Sequence, residues 1–185
     1  MPGATSIREV CPELGQLAKG ESVKTLVVYY SRTGNTKKLG DEGAAALGAD
    51  VEELKDKKNR KGPIGFLMAG LEAVKGLPTE LEPLVHDPAA YDLVLVGSPV
   101  WAGCLCPPVR TFLAQQRAGL KKVAWFSTCG SEGGSSASKA FSQMTEVSGR
   151  TPEGTLALGR KAIKAEHAEA LAKFLSRISS QVAAR

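Results

Sequence analysis

Short apolar runs alternate with segments of helical spacing along most of the chain. The strongest runs are VKTLVVYY at 23–30, YDLVLVGSP at 91–99 and KKVAWFST at 121–128, and weaker ones are DVEELK at 50–55 and GTLALGR at 154–160. Runs of this length with consecutive apolar residues are typical of strands that are buried on both faces of a parallel sheet. The pattern therefore predicts a sheet of five parallel strands.

The segments between these runs have the spacing of helices. Helices are predicted at about 34–47, at 63–76, from Pro107 onward, from the end of the loop CGSEGGSS at 129–136 to about Val147, and at about 164–182. In the last of these helices, four apolar residues lie on one face because they are three or four positions apart. They are Leu171, Phe174, Leu175 and Ile178. Repeated alternation of strand and helix implies right-handed crossovers, so we predict an α/β doubly wound sheet with helices on both faces.

The length and composition indicate one globular domain. The chain has 185 residues, of which 43% are hydrophobic and 23% are charged, and this is enough to bury a full core. Residues 1–22 hold two prolines and three glycines and stand outside the alternating pattern. We therefore predict an N-terminal extension at 1–22 and a single domain at 23–185.

The sequence has neither the character of a membrane segment nor that of a secretion signal. No stretch approaches the roughly 18 consecutive apolar residues of a membrane helix. The N-terminus lacks a basic segment followed by an apolar one. We expect a cytoplasmic protein without membrane insertion.

Cysteine and histidine are too few and too scattered to predict a metal centre. The four cysteines and two histidines are Cys11, Cys104, Cys106, Cys129, His86 and His167. No two cysteines have the CxxC spacing of a zinc site, and the set does not suggest a disulfide framework. We expect reduced thiols that pack as small apolar groups, no metal, and no metal or triad role for either histidine.

Positive charge is concentrated in one short segment. The chain has a formal net charge of +5, and the run KDKKNRK at 55–61 holds five positive side chains and one negative one. It contains no aromatic residue, which a binder of single-stranded nucleic acid would interleave with its basic residues. A solvated loop is the favoured interpretation and no nucleic-acid partner is expected, while attraction of an acidic partner or an anionic substrate stays open.

A stretch rich in hydroxyl groups, SRTGNT at 31–36, directly follows the first predicted strand. In a doubly wound sheet, ligands bind beyond the carboxyl ends of the strands. Hydroxyl and amide side chains here surround Gly34 at a helix start that favours an anion, and no carboxylate is present to repel one. Because the stretch lacks both GK[ST] and GxGxxG, the predicted occupant is a monophosphate without magnesium. A simple helix N-cap by Ser31 or Thr33 is the open alternative.

Two further loops with unusual composition follow predicted strands. SPVWAG at 98–103 places Trp101 before two small residues, which let a flat ring approach the backbone. STCGSEGG at 127–134 contains three glycines and few bulky groups. Either loop alone is compatible with an ordinary turn, but three such loops at one edge of the sheet predict a ligand site.

The order VVYYSRTGNT, LVLVGSPVWAG and WFSTCGSEGG at successive strand ends resembles the flavodoxin-like family of FMN-binding proteins, over about residues 23–178. The resemblance implies a three-layer sandwich, a five-stranded parallel sheet in the order 2-1-3-4-5, and FMN as the cofactor. It implies that the first loop wraps the FMN phosphate and that the second donates backbone hydrogen bonds to the pyrimidine end of the flavin ring. The implied cofactor-binding residues are Ser31, Arg32, Thr33, Gly34, Asn35, Thr36, Pro99, Val100, Trp101, Ala102, Gly103, Thr128, Cys129, Gly130, Glu132 and Gly134.

The resemblance implies an electron carrier, in which FMN performs the redox chemistry and no catalytic residue is needed. Its partner would be a redox protein or a small redox substrate. Unlike well-known carrier flavodoxins, the chain is basic, and its third loop has no aromatic residue to cover the flavin ring. An open flavin face leaves a small FMN-dependent NAD(P)H or quinone oxidoreductase as an alternative. A non-redox nucleotide-binding or regulatory domain of flavodoxin fold is the second alternative.

Overall fold

A parallel sheet forms the centre of the computed structural model, which describes residues 7, 23–60, 62–130, 135–165 and 167–183. Its strands are β1 (Thr25–Tyr29), β2 (Asp50–Glu53), β3 (Leu93–Trp101), β5 (Lys122–Cys129) and β6 (Thr155–Gly159). They lie in the order β2-β1-β3-β5-β6. The predicted parallel sheet is confirmed, because these five strands, counted along the chain, have the order 2-1-3-4-5.

A short extra strand, β4 (Cys104–Leu105), pairs antiparallel with the end of β3 and is not predicted by the sequence pattern. A tight turn joins the two strands, and in it Ala102 and Gly103 have φ of 48° and 74°. Positive φ at both central residues is the geometry of a two-residue hairpin turn. An alanine rarely adopts that conformation, so the sequence gives no strong turn signal at this point.

The connections between the parallel strands are mostly helical. The helices are α1 (Asn35–Leu47), α2 (Gly62–Lys75), α3 (Pro107–Gln116), α4 (Ser135–Ser148), α5 (Arg160–Ala165) and α6 (Ala168–Ala183), with a 3-10 turn at Pro88–Ala90. The single helix predicted at 164–182 is therefore two helices, and the first begins earlier than predicted. Prolines open α3 as predicted, since the NH that they lack would be unpaired at a helix start.

Alternate side chains of the strands contribute to two separate cores. On one face of the sheet, Val94 and Trp125 belong to a cluster with residues of α2, α3 and α4. On the other face, Tyr29 and Phe126 cluster with residues of α1, α5 and α6. Trp125 is fully buried, and its indole NH donates to Thr145 Oγ1 at 3.3 Å. Helices on both faces form the predicted three-layer sandwich.

The predicted N-terminal extension lies outside the described residues except for Ile7. This residue is helical and buried, and it belongs to the core that contains residues of α1 and α6. Among the helices described, none has the length and apolar character needed to cross a membrane.

Candidate functional site

The carboxyl ends of β1, β3 and β5 bring the three predicted loops to one edge of the sheet. Tyr29 of β1 pairs with Gly97 of β3, and Pro99 of β3 pairs with Thr128 of β5. The loop after β1, the hairpin at the end of β3 and the loop after β5 lie beyond these pairs. The three loops therefore meet at one edge, as the sequence pattern indicates.

The first loop leads into a helix start without a side-chain cap. Gly34 is the N-cap residue of α1, with φ of 85°, a conformation that favours glycine. Ser31 Oγ accepts a hydrogen bond from the NH of Gly34 at 3.2 Å, so it closes the loop one residue before the helix. Neither a capping side chain nor an acidic residue occurs in the first turn of α1, all of which is described. This arrangement favours an anion site over a simple N-cap.

Thr36 and Thr128 form a buried contact between the first and third loops. Their hydroxyl oxygens lie 2.8 Å apart, and the two residues are 1% and 6% exposed. Thr36 therefore joins the first turn of α1 to the end of β5, and its role as a ligand donor stays a prediction. Thr33 is exposed, and its Oγ1 accepts a long hydrogen bond of 3.4 Å from Asn35 Nδ2. A buried hydroxyl pair thus fixes the first and third loops against each other.

Replacing both hydroxyls of this pair should cost less than the sum of the two single replacements. Thr36→Val or Thr128→Val leaves a buried hydroxyl without its partner, which should lower the free energy of unfolding by about 1–3 kcal/mol. The double variant removes both polar groups, so its loss should be smaller than the sum of the two single losses. Urea denaturation of the four proteins measures this coupling, and additive effects would contradict the pairing.

The second loop holds Trp101 in a largely buried position. Trp101 is 9% exposed and meets Tyr30 edge to face, with the ring centroids 5.6 Å apart. The guanidinium groups of Arg32 and Arg60 each lie 5.6 Å from the centroid of the indole, within cation–π range. The indole is therefore packed between the first loop and the segment after β2.

The burial of Trp101 limits what it offers to a flavin ring. Ala102 is the exposed residue of the second loop, beside the half-buried Pro99, Val100 and Gly103. A flat ligand at this loop would contact backbone and small side chains, with only a small part of the indole within its reach. The predicted backbone contacts are compatible with this arrangement, whereas extensive stacking on Trp101 is not.

Arg60 lies beside the candidate site, because its guanidinium group is close to the ring of Trp101. In the sequence it is recognisable only as a member of the basic run at 55–61. Its side chain is 5% exposed and forms ion pairs with Asp56 and, at 2.6 Å, with Glu72. Burial alone would lower the pKa of Arg60 and raise that of Glu72. Their hydrogen bonds outweigh burial, so the pKa of Arg60 is raised and that of Glu72 is lowered. Glu72 is 12 residues away in the chain, which explains why the sequence gives no signal for this network.

The basic run at 55–61 is ion-paired over its described residues. The lysine pairs are Lys55 with Glu82, Lys57 with Glu80 and Lys58 with Glu72. Lys61 lies outside the described residues. The lysines are exposed, so each pair contributes little to stability, but together the pairs neutralise most of the local positive charge. They favour a solvated loop over a surface that attracts an acidic partner.

The third loop is described as far as Gly130. Cys129 is buried, with its Sγ 3.8 Å from the carbonyl oxygen of Leu158, and Gly130 is exposed. Glu132 and Gly134, which the resemblance implies as cofactor ligands, lie outside the described residues. Because the side chains of Thr128 and Cys129 are buried, this part of the loop offers a ligand mainly its backbone.

The thiols near the loops are buried. Cys104, Cys106 and Cys129 are free and buried. Cys106 Sγ accepts a hydrogen bond from Ser98 Oγ at 3.3 Å, and burial raises the pKa of Cys106 to about 11. A thiol with that pKa is protonated at neutral pH and is a poor nucleophile. The prediction that the thiols pack as small apolar groups is confirmed for these three residues, and Cys11 lies outside the described part of the chain.

Each histidine pairs with one glutamate. His86 Nδ1 lies 2.9 Å from Glu52 Oε2, and His167 Nε2 lies 2.6 Å from Glu42 Oε2. A metal site needs at least a third ligand, and the described residues contain no group of three potential ligands.

The three loops border open space at three glycines. A Cβ added to Gly34, Gly103 or Gly130 would meet no atom within 4 Å, and each of these glycines belongs to a different loop. The first loop adds a helix start that favours an anion, whereas the second and third loops offer backbone and small side chains. This combination fits a flat ligand that carries a phosphate group.

A doubly wound parallel sheet in this order, with helices on both faces and three loops at the carboxyl ends of β1, β3 and β5, is the flavodoxin-like fold. Solved structures agree with this fold. The chain is similar to a flavoprotein from Lactobacillus acidophilus NCFM, solved in complex with FMN, at 27% sequence identity and a TM-score of 0.63. The match covers 77% of this chain and 97% of that one.

Two flavodoxins have the same fold at lower identity. The two-electron reduced flavodoxin of Megasphaera elsdenii is 22% identical, with a TM-score of 0.51 and coverage of 84% of this chain and 98% of that one. Oxidised flavodoxin 1 of Bacillus cereus is 16% identical, with a TM-score of 0.52 and coverage of 85% and 97%. No family model and no curated protein match the chain. The resemblance seen in the three loops is thereby confirmed, and the chain has the flavodoxin-like fold.

Proposed function

We propose that the chain binds FMN where the three loops meet and that it carries electrons between redox partners. The start of α1 is the main observation behind this proposal: it combines left-handed Gly34 with the absence of a side-chain cap and of an acidic residue. An open helix start of this kind favours a phosphate dianion. The FMN complex of the similar Lactobacillus acidophilus flavoprotein supports FMN as the ligand.

The first and second loops have separate roles in binding FMN. The NH groups at the start of α1, together with the exposed Thr33, hold the phosphate. The backbone around Ala102 and Gly103 lies beside the ring and orients it through hydrogen bonds. FMN, when bound, supplies the redox chemistry. The protein needs no acid or base for electron transfer and contributes binding, orientation and control of access.

A small FMN-dependent NAD(P)H or quinone oxidoreductase is the second candidate function. The observation that favours it is the third loop, where the exposed Gly130 follows β5 and leaves open space at its Cβ position. An aromatic residue there would cover one face of the ring. Without such a cover, a nicotinamide or a quinone could approach the flavin.

Two assays on the FMN-loaded protein separate these functions. We expect the reduced protein to pass electrons rapidly to a one-electron acceptor such as cytochrome c. We also expect it to oxidise NADPH, with a quinone as acceptor, no faster than an equal amount of free FMN does. Rapid NADPH oxidation with the quinone alone would contradict the carrier proposal and favour the oxidoreductase. A protein that binds no FMN would contradict both and favour a regulatory domain.

A further inference from the structure

Among the described side chains of helix α2, small residues face inward and large apolar residues face outward. Ala69 and Ala73 are buried, and a Cβ on Gly65 would lie 2.7 Å from the backbone of Arg60. Five large apolar side chains are exposed instead, from 46% for Leu71 to 80% for Ile64, and they are Ile64, Leu67, Met68, Leu71 and Val74. A surface helix of a monomer normally buries such a set. We call these five residues the α2 stripe.

The α2 stripe is continuous and almost entirely apolar. At 100° per residue its members span about 120° of the helix surface. The charged residues of α2 are Glu72, which is paired with Arg60 and Lys58, and Lys75, which lies within this arc at the last turn of the helix. From the exposed fractions, the stripe presents on the order of 500 Å² of apolar surface, the size of the largest apolar patch on a typical monomer, which is often functional.

We propose that the α2 stripe is the contact surface of a homodimer, in which a second copy of the chain covers it. The positions of the stripe residues along α2 are nearly symmetric about position 69. Ile64 and Val74 lie five positions to either side of Ala69, and Leu67 and Leu71 lie two. Two antiparallel α2 helices, related by a two-fold axis that passes between their outer faces at the level of position 69, set Leu67 of each copy against Leu71 of the other. The same axis sets Ile64 against Val74.

The area and charge of the surface favour a second copy over a transient redox partner. A stable interface buries about 800 Å² per partner. The area of the α2 stripe approaches this value when the surface around the stripe, which includes the exposed Leu77, is added to it. Homodimer interfaces are more apolar than those of transient complexes, whereas electron-transfer encounters use complementary charge. The described lysines of the segment before α2 are paired within the chain, as in Lys57 with Glu80, and Lys75 is the one charged residue within the arc of the stripe. One positive charge beside five apolar side chains is a weak attraction for an oppositely charged partner.

The dimer contact lies close to the candidate FMN site. A Cβ on Gly70 of α2 would lie 4.0 Å from the Cβ of Ala102 in the second loop. The second copy therefore approaches the side of the site that this loop forms. The inference goes beyond the proposed function and does not depend on it, because no contact of the dimer involves a flavin.

Sedimentation equilibrium of the full chain at micromolar concentration tests the proposal. The expected mass is twice the 19.4 kDa of one chain. In the variant carrying Leu67→Gln and Leu71→Gln, two apolar contacts are lost from each copy, and glutamine preserves the helix. Its dimer dissociation constant should rise at least about 100-fold, since each buried leucine contributes roughly tenfold or more. Val85→Gln, which alters an 85% exposed apolar residue outside α2, is the matched control and should remain a dimer.

A parent protein that stays monomeric over the concentration range would overturn the proposal, whatever the variants do. Binding of that monomer to phosphatidylcholine vesicles would assign the stripe to a membrane surface. A dimer that the double variant leaves intact would place the interface elsewhere and would also overturn the proposal. Circular dichroism confirms that the variants are folded.

Discussion

Asn35→Asp should weaken FMN binding at least about tenfold while leaving the fold as stable as before or slightly more stable. Asn35 is the first residue of α1, and the substitution adds one negative charge with almost no change in shape. A carboxylate about 5 Å from a phosphate dianion is repelled by about 1.5 kcal/mol even at the dielectric constant of water. The same charge in the first turn of a helix stabilises that helix by about 0.3–1 kcal/mol.

The opposite signs of these two effects separate ligand binding from folding. FMN and riboflavin titrations, followed by flavin fluorescence, measure the first effect, and urea denaturation measures the second. Riboflavin lacks the phosphate, so its affinity should change by less than about twofold. Gln115→Glu makes the same chemical change at an exposed position near the end of α3, and it should leave FMN affinity unchanged. Parent-like FMN affinity in Asn35→Asp would show that the phosphate is not at α1.

Gly97→Ala should lower the free energy of unfolding by about 1–3 kcal/mol, because the added methyl group enters a full core. A Cβ at Gly97 would lie 2.2 Å from the ring of Phe126, which is only 3% exposed. The two residues are paired between β3 and β5, so the clash must move either the ring or the strands. Two residues further along lie Pro99 and Thr128, at the second and third loops. A smaller loss of FMN affinity should therefore accompany the loss of stability.

Gly130→Ala is the matched control for this substitution. Its Cβ would meet no atom within 4 Å, and its position is exposed, so the change in stability should stay within about 0.5 kcal/mol. Thermal or urea denaturation of the two variants and the parent provides the comparison. Equal stability of Gly97→Ala and the parent would contradict the close packing of β3 on β5.

The sequence predicts the sheet well because its central strands are buried on both faces. Consecutive apolar residues in β3 and β5 leave few alternatives to a parallel sheet covered by helices. The loops were recognisable for a similar reason, since hydroxyl groups and glycines without a nearby acid are uncommon directly after a buried strand. These signals are local in the chain, and the fold class follows from them.

Features that depend on distant contacts could not be predicted in the same way. Thr36 resembles an exposed ligand donor in the sequence, and its burial depends on Thr128, which is 92 residues away. The hairpin that creates β4 depends on a positive φ at Ala102, for which alanine gives no signal. The outward face of α2 is also invisible in the sequence, because periodicity identifies an apolar stripe but does not show which side of the helix meets the sheet.

We propose that the protein holds FMN by its phosphate at the start of α1. Equilibrium titration of the flavin-free parent with FMN and with riboflavin tests this most directly. We predict that FMN binds at least about 100-fold more tightly, because two hydrogen bonds to a charged phosphate contribute about 1.5–3 kcal/mol each. Equal affinities for the two flavins, or no affinity for either, would contradict the claim.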